Sequence, residues 1–91
     1  MSARGHSDTD WPDWWQWPIE LTSHLIKRMF DRGFSETELR DMLEMATAFH
    51  PDVEAGRFVI DTALRGQRWQ IIVEPDDGPE IVVVITAYPL D

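Results

Sequence analysis

Residues 56–88 read GRFVIDTALRGQRWQIIVEPDDGPEIVVVITAY. Three runs within them, RFVIDTAL, RWQIIVE and EIVVVITAY, are rich in Val, Ile, Thr and aromatics, the composition of strands. Arg65-Gly66-Gln67 and Pro75-Asp76-Asp77-Gly78-Pro79 separate them, and connections that short join antiparallel neighbours. The first two runs alternate: Phe58 and Ile60 stand against Arg57 and Asp61, and Trp69, Ile71 and Val73 against Arg68, Gln70 and Glu74. Each therefore buries one face. The third is apolar on both faces over residues 81–85, the pattern of a central strand covered on both sides. A helix or the Trp-rich N-terminal segment would supply the second cover.

Upstream of the strands the period becomes helical. Ser35 and Glu38 form an S-x-x-E capping box, Phe34 and Leu39 occupy the staple positions, and Leu39, Met42, Leu43 and Ala46 share one face. Glu36 and Arg40 add an i, i+4 pair. This helix fades by Phe49, because Pro51 disfavours helical geometry at His50. Before it, SHLIKRMFDRG at residues 23–33 predicts a helix with Thr22 or Ser23 as N-cap and Gly33 as its stop. Four-residue spacing lines His24, Arg28 and Arg32 along one side, with Leu25, Ile26, Met29 and Phe30 on the other. Residues 19–21 add a short extended piece. The class is α+β, two N-terminal helices packed on a three- to four-stranded antiparallel meander.

Residues 19–91 are expected to form this single domain, behind a flexible, Trp-rich leader at residues 1–18. In that leader WPDWWQWP carries Trp11, Trp14, Trp15 and Trp17, four of the chain's five tryptophans. Either they cover one side of the sheet or the helix pair, or they anchor a protein partner or a second copy.

The chain has 91 residues and is 43% hydrophobic, enough for one modest core. It has no cysteine, which excludes disulfides and thiolate metal sites. No secretory signal is visible, and the longest apolar run is far too short to span a bilayer, so a cytoplasmic protein with no membrane partner is expected. Seventeen acidic and eight basic residues give a formal net charge of -9, which argues against non-specific attachment to nucleic acid. The basic residues Lys27, Arg28, Arg32 and Arg40 fall in the helical region and Arg57, Arg65 and Arg68 in the strands, so a locally positive cleft is compatible with the total.

Helix one offers the clearest chemistry. An imidazole beside guanidiniums suits general-base attack on a phosphodiester, the ring taking a proton from a ribose hydroxyl while arginine neutralises the phosphate. The competing reading makes His24 a surface residue near a cap and pairs Arg28 and Arg32 with Asp31, Glu20 or Glu36. Thr86 and Tyr88 point to one side of the last strand, and either cap its end or complete a site with helix-one groups. Arg57 and Arg68 are open between cross-strand ion pairs, Arg57 with Glu74 for one, and phosphate contacts. His50 is a helix-terminal imidazole or a second acid/base group. His6, His24 and His50 lack short ligand spacing, and there is no H-E-x-x-H, phosphate-binding glycine loop or G-x-S-x-G elbow. No metal or cofactor is expected.

The order of motifs carries a resemblance. S-x-H-x-x-x-R-M-x-x-R-G-F-S from Ser23, G-R-F-V-I from Gly56, W-x-x-x-V-E-P from Trp69 and V-I-T-A-Y from Val84 resemble the family labelled domain of unknown function forty-two fifty-eight. That family is similar to the toxin-like ribonucleases of the barnase, EndoU, colicin and RelE group, which share a helical start followed by an antiparallel meander. The resemblance implies His24 as acid/base group, Arg28 and Arg32 as anion-binding partners, Arg57 as a further phosphate contact, and Thr86 and Tyr88 as strand-end groups facing the helix. It points to a metal-independent endoribonuclease acting through the ribose 2'-hydroxyl, with Arg68 also on the substrate, and held by an antitoxin partner docking on the tryptophans. The rival expectation is a non-enzymatic acidic binding module or inhibitor acting through protein contacts.

Overall fold

The computed structural model describes residues 11–90; residues 1–10, with the first part of the expected leader and His6, lie outside them. The three long strands form as the alternation requires. β3 (Phe58–Leu64) and β4 (Gln67–Asp76) are joined through Arg65 and Gly66, both at positive φ (53° and 78°). Two left-handed residues match the right-handed twist of the flanking strands, and glycine takes the second without strain. β5 (Ile81–Pro89) returns antiparallel to β4.

Two further strands correct the expected meander. β1 (Ile19–Leu21) pairs parallel to β5, Ile19 opposite Val82 and Leu21 opposite Val84, while β2 (Ala48–Pro51) pairs antiparallel to β3. The sheet is mixed and five-stranded, in the order β1-β5-β4-β3-β2. α1 (Ser23–Arg32) and α2 (Glu36–Glu44) lie between β1 and β2 and are not N-terminal. Three residues are too few to show a period, so the pairing of β1 was invisible locally. Pro51, which reads as a helix stop, ends an edge strand, where its missing N–H does least harm.

The third run also differs from its expected double cover. β5 contains a bulge: Ile72 pairs with Thr86 but Val73 with Val84, leaving Ile85 as the extra residue. Val84 and Ala87, three apart, consequently both reach the core, while residues 81, 83, 85, 86 and 88 are half-buried on the other face. The apolar run thus combines one core face with a partly exposed one.

Both helices cover the same face of the sheet. Leu25, Phe34, Leu39, Met42, Leu43 and Ala46 meet Ile60, Trp69, Ile71, Val73, Val82, Val84 and Ala87. Phe34 packs edge-on to Trp69 with ring centroids 5.2 Å apart. The capping box forms as read, Ser35 N–H donating to Glu38 Oε1 and Glu38 N–H to Ser35 Oγ. Buried Thr62 donates its hydroxyl to the Met42 carbonyl, one of the last carbonyls of α2 that lack a helical partner.

The tryptophans shift the domain boundary. A 3-10 turn at Asp13–Gln16 buries Trp15, and Trp11, Trp14 and Trp17 pack against the core, so residues 11–18 belong to the folded unit. Trp11 lies 4.4 Å from Trp15 and 5.1 Å from Phe49, and Trp14 lies 5.0 Å from Phe58, between ring centroids. Of the two readings of the cluster, the structure displays the cover. Aromatic spacing alone does not reveal what the rings pack on.

Candidate functional site

α1 begins where β1 stops, and it takes over the outer edge of β5. Thr22 caps the helix by accepting from Leu25 N–H at 3.0 Å, and its hydroxyl donates to the carbonyls of Val84 and Ile85 at 3.0 and 3.2 Å. Ten residues on, Arg32 Nη1 donates to the Ala87 carbonyl at 2.9 Å. Gly33, at φ 69°, then ends the helix with its N–H on the Met29 carbonyl. Pinned at both ends, α1 covers edge groups that β1 is too short to pair.

Four-residue spacing carries Arg28 and His24 along the same side of α1 as Arg32. His24 is exposed in the first turn and makes no polar contact among the described residues. Arg28 is only 30% exposed, and its Nη1 donates to Asp31 Oδ2 at 3.0 Å; Lys27 Nζ stands 3.8 Å from the same oxygen. The expected apolar side of α1 is narrower than read. Leu25 is buried and Met29 half-buried, but Ile26 is 53% and Phe30 89% exposed. A residue 100° round the helix from Leu25 already clears the sheet, which the one-sided wheel does not show. Ile26, Met29, Phe30 and Phe34 instead line a shallow groove beside α2.

The strand-end groups sit on the sheet face turned away from the helices. Thr86 and Tyr88 alternate with core-facing Ala87 and pair with Ile72 and Gln70. On that face Arg57 Nε donates to Glu74 Oε1 at 3.1 Å, the ion pair read from the sequence. Arg68 is exposed, with no polar side-chain partner among the described residues. A row of side chains crosses three strands: Tyr88 Oη donates to Gln70 Oε1 at 3.0 Å, and Gln70 Nε2 donates to Asp61 Oδ1 at 2.9 Å. His50, on β2 and not at a helix end, holds its Nε2 3.9 Å from Asp61 Oδ2. Burial raises the Tyr88 phenol above its ordinary value, and the charges of Asp52 and Asp61 add to the effect.

The structure therefore gathers His24, Arg28 and Arg32 into one row beside β5, and places Arg57, Arg68, Thr86 and Tyr88 on the sheet's other face. Gln70 and Asp61 were missed in the sequence. Their signal was the register, which sets Asp61 opposite Gln70 and Gln70 opposite Tyr88. Among the described residues, no three His, Cys, Asp or Glu side chains come together as a metal centre requires, and no helix is long and apolar enough to cross a membrane.

The family model described as Domain of unknown function (DUF4258) matches residues 21–89, and the chain belongs to that family. No curated protein and no solved structure matches the chain.

Proposed function

We propose that this member of the family cleaves RNA through the ribose 2'-hydroxyl without a metal. The observation that carries the reading is the row on α1: an exposed His24 imidazole with no polar partner among the described residues, followed along the same side by Arg28 and Arg32. His24 takes the 2'-hydroxyl proton as that oxygen forms its bond to phosphorus. The bond from phosphorus to the 5'-oxygen breaks, and the imidazolium or water returns a proton to the leaving group. Arg28, after exchanging Asp31 for the substrate, neutralises the phosphorane. Thr86, Tyr88, Arg57 and Arg68 hold the strand where it passes round the edge of β5 onto the open face. A cytoplasmic RNA-cutting protein of this kind needs an antitoxin-like partner, for which the exposed Ile26 and Phe30 are accessible apolar surface, apart from the Trp-rich segment expected to dock it.

A second reading rests on its own observation. Arg28 is engaged by Asp31 and Arg57 by Glu74, within a chain of net charge -9. Cations satisfied internally suit an acidic module that binds proteins, alone or as a homodimer, and does no chemistry. Incubating the purified chain with RNA separates the two. Fragments ending in 2',3'-cyclic phosphate, lost in His24→Ala, support cleavage; intact RNA, or cleavage unchanged in His24→Ala, removes this mechanism.

A further inference from the structure

Beyond the first residues of β2, the edge of β3 is left open, and a cavity of about 470 Å³ lies against it. Met45, Trp69 and Leu90 give it apolar walls, and Asp61, Gln70 and Arg68 give it polar ones. Its volume falls in the range of small-molecule sites.

The polar wall is chemically directed. A carboxylate only accepts, so the amide nitrogen of Gln70 faces Asp61, its carbonyl faces Tyr88, and the phenol gives its proton inward. Both ends of the Gln70 amide are used by this chain. What remains for a ligand is the second carboxylate oxygen of Asp61, which stands 3.9 Å from His50 Nε2, beyond hydrogen-bond reach, and the Arg68 guanidinium. Asp61 and Arg68 make no ion pair with each other, so one cavity presents an acceptor and a separate cation.

The geometry points to a site for a nucleotide whose base carries an amino group, as adenine, cytosine and guanine do and uracil does not. Asp61 accepts from the base amine, Arg68 takes the phosphate, and Trp69 and Leu90 bound the base. The choice of a nucleotide rests on the RNA-cleaving reading, in which this cavity, two strands from the α1 row, selects a nucleotide further along the bound strand. Gln70 is a positioning residue here, because its amide nitrogen holds the Asp61 carboxylate, and the Tyr88 phenol fixes which way that amide faces.

The test is direct binding of AMP, CMP and UMP to the full chain, followed by calorimetry. AMP and CMP should bind about tenfold more tightly than UMP, the worth of one hydrogen bond to a charged acceptor. Asp61→Asn, which offers an amide to the uracil carbonyl, should erase or invert that preference. Arg68→Ala should weaken all three about equally. Equal binding of the three, binding of none, or a preference that survives Asp61→Asn overturns the site. If Asp61→Asn does not fold, the selectivity of the natural chain and the uniform loss in Arg68→Ala decide. Selective binding with intact RNA fells the cleavage reading alone, and cleavage without selective binding fells this site alone.

Discussion

The hydroxyl of Thr22 donates to the carbonyl of Val84 at 3.0 Å while accepting the N–H of Leu25 at 3.0 Å, so one side chain both starts α1 and fastens it to β5. Thr22→Val keeps the shape and removes these bonds together with the hydroxyl's donation to the Ile85 carbonyl. It should lower stability by about 1–2 kcal/mol, the sum expected of a lost cap and of carbonyls that lose the hydroxyl, Val84's keeping only the long bond from the Thr22 N–H at 3.4 Å. In urea denaturation the midpoint should fall with the slope unchanged, and Thr22→Ser should recover most of the loss. A Thr22→Val midpoint equal to the natural chain's would mean that α1 is held by packing alone.

The start of α2 should be sensitive to acid. Glu38 accepts the Ser35 N–H, and this bond, more than the Arg65 guanidinium beside it, lowers its carboxyl below the ordinary 4.5. A carboxyl lowered on folding adds stability that is complete above the unfolded value and disappears as pH falls through the folded one. Glu38→Gln should therefore be less stable than the natural chain at neutral pH, and the gap should close as the solution is acidified below about 4.5. Thermal midpoints of the two proteins across that range measure it; a gap independent of pH would assign the effect to the neutral capping bond.

Much of the fold was legible because its signals are local. The capping box at Ser35 and Glu38, the Gly33 stop, the Glu36–Arg40 pair and the β3–β4 hairpin each depend on residues a few positions apart. The parallel pairing of Ile19 with Val82 joins residues far apart through only three positions, and no local period records it. The bulge at Ile85 is hidden in a run of β-branched residues that would suit either face. For the candidate site, the row His24, Arg28, Arg32 follows from helical spacing. That Thr86 and Tyr88 lie on the other sheet face follows from which alternate residues the helices cover, a tertiary fact.

Trp15 tests where the domain begins. Its side chain is 3% exposed, packed against Trp11 and Trp14 and counted in the same core as Leu25 and Val82. Trp15→Ala should cost about 3–5 kcal/mol, a large share of the stability of so small a domain. A chain beginning at Ile19 should lose cooperative unfolding or melt far below the full chain, as followed by circular dichroism. An unchanged midpoint in that truncated chain would return the segment to the role of a leader.

Tyr88 is the chain's single tyrosine, so the tyrosinate absorbance reports it without interference from another phenol. Burial is the larger reason for its raised value and the Asp52 and Asp61 carboxylates the lesser, and the two causes can be separated. The titration of the folded protein should lie above the ordinary 10.0. Asp61→Asn should move it down yet leave it above that value, because burial remains. A phenol whose value rises on folding adds stability that is complete below the unfolded value and is lost as pH climbs through the folded one, so alkaline unfolding should accompany the absorbance change. If Asp61→Asn brings the titration all the way to the ordinary value, the carboxylate and not the half-buried position on β5 governs this phenol.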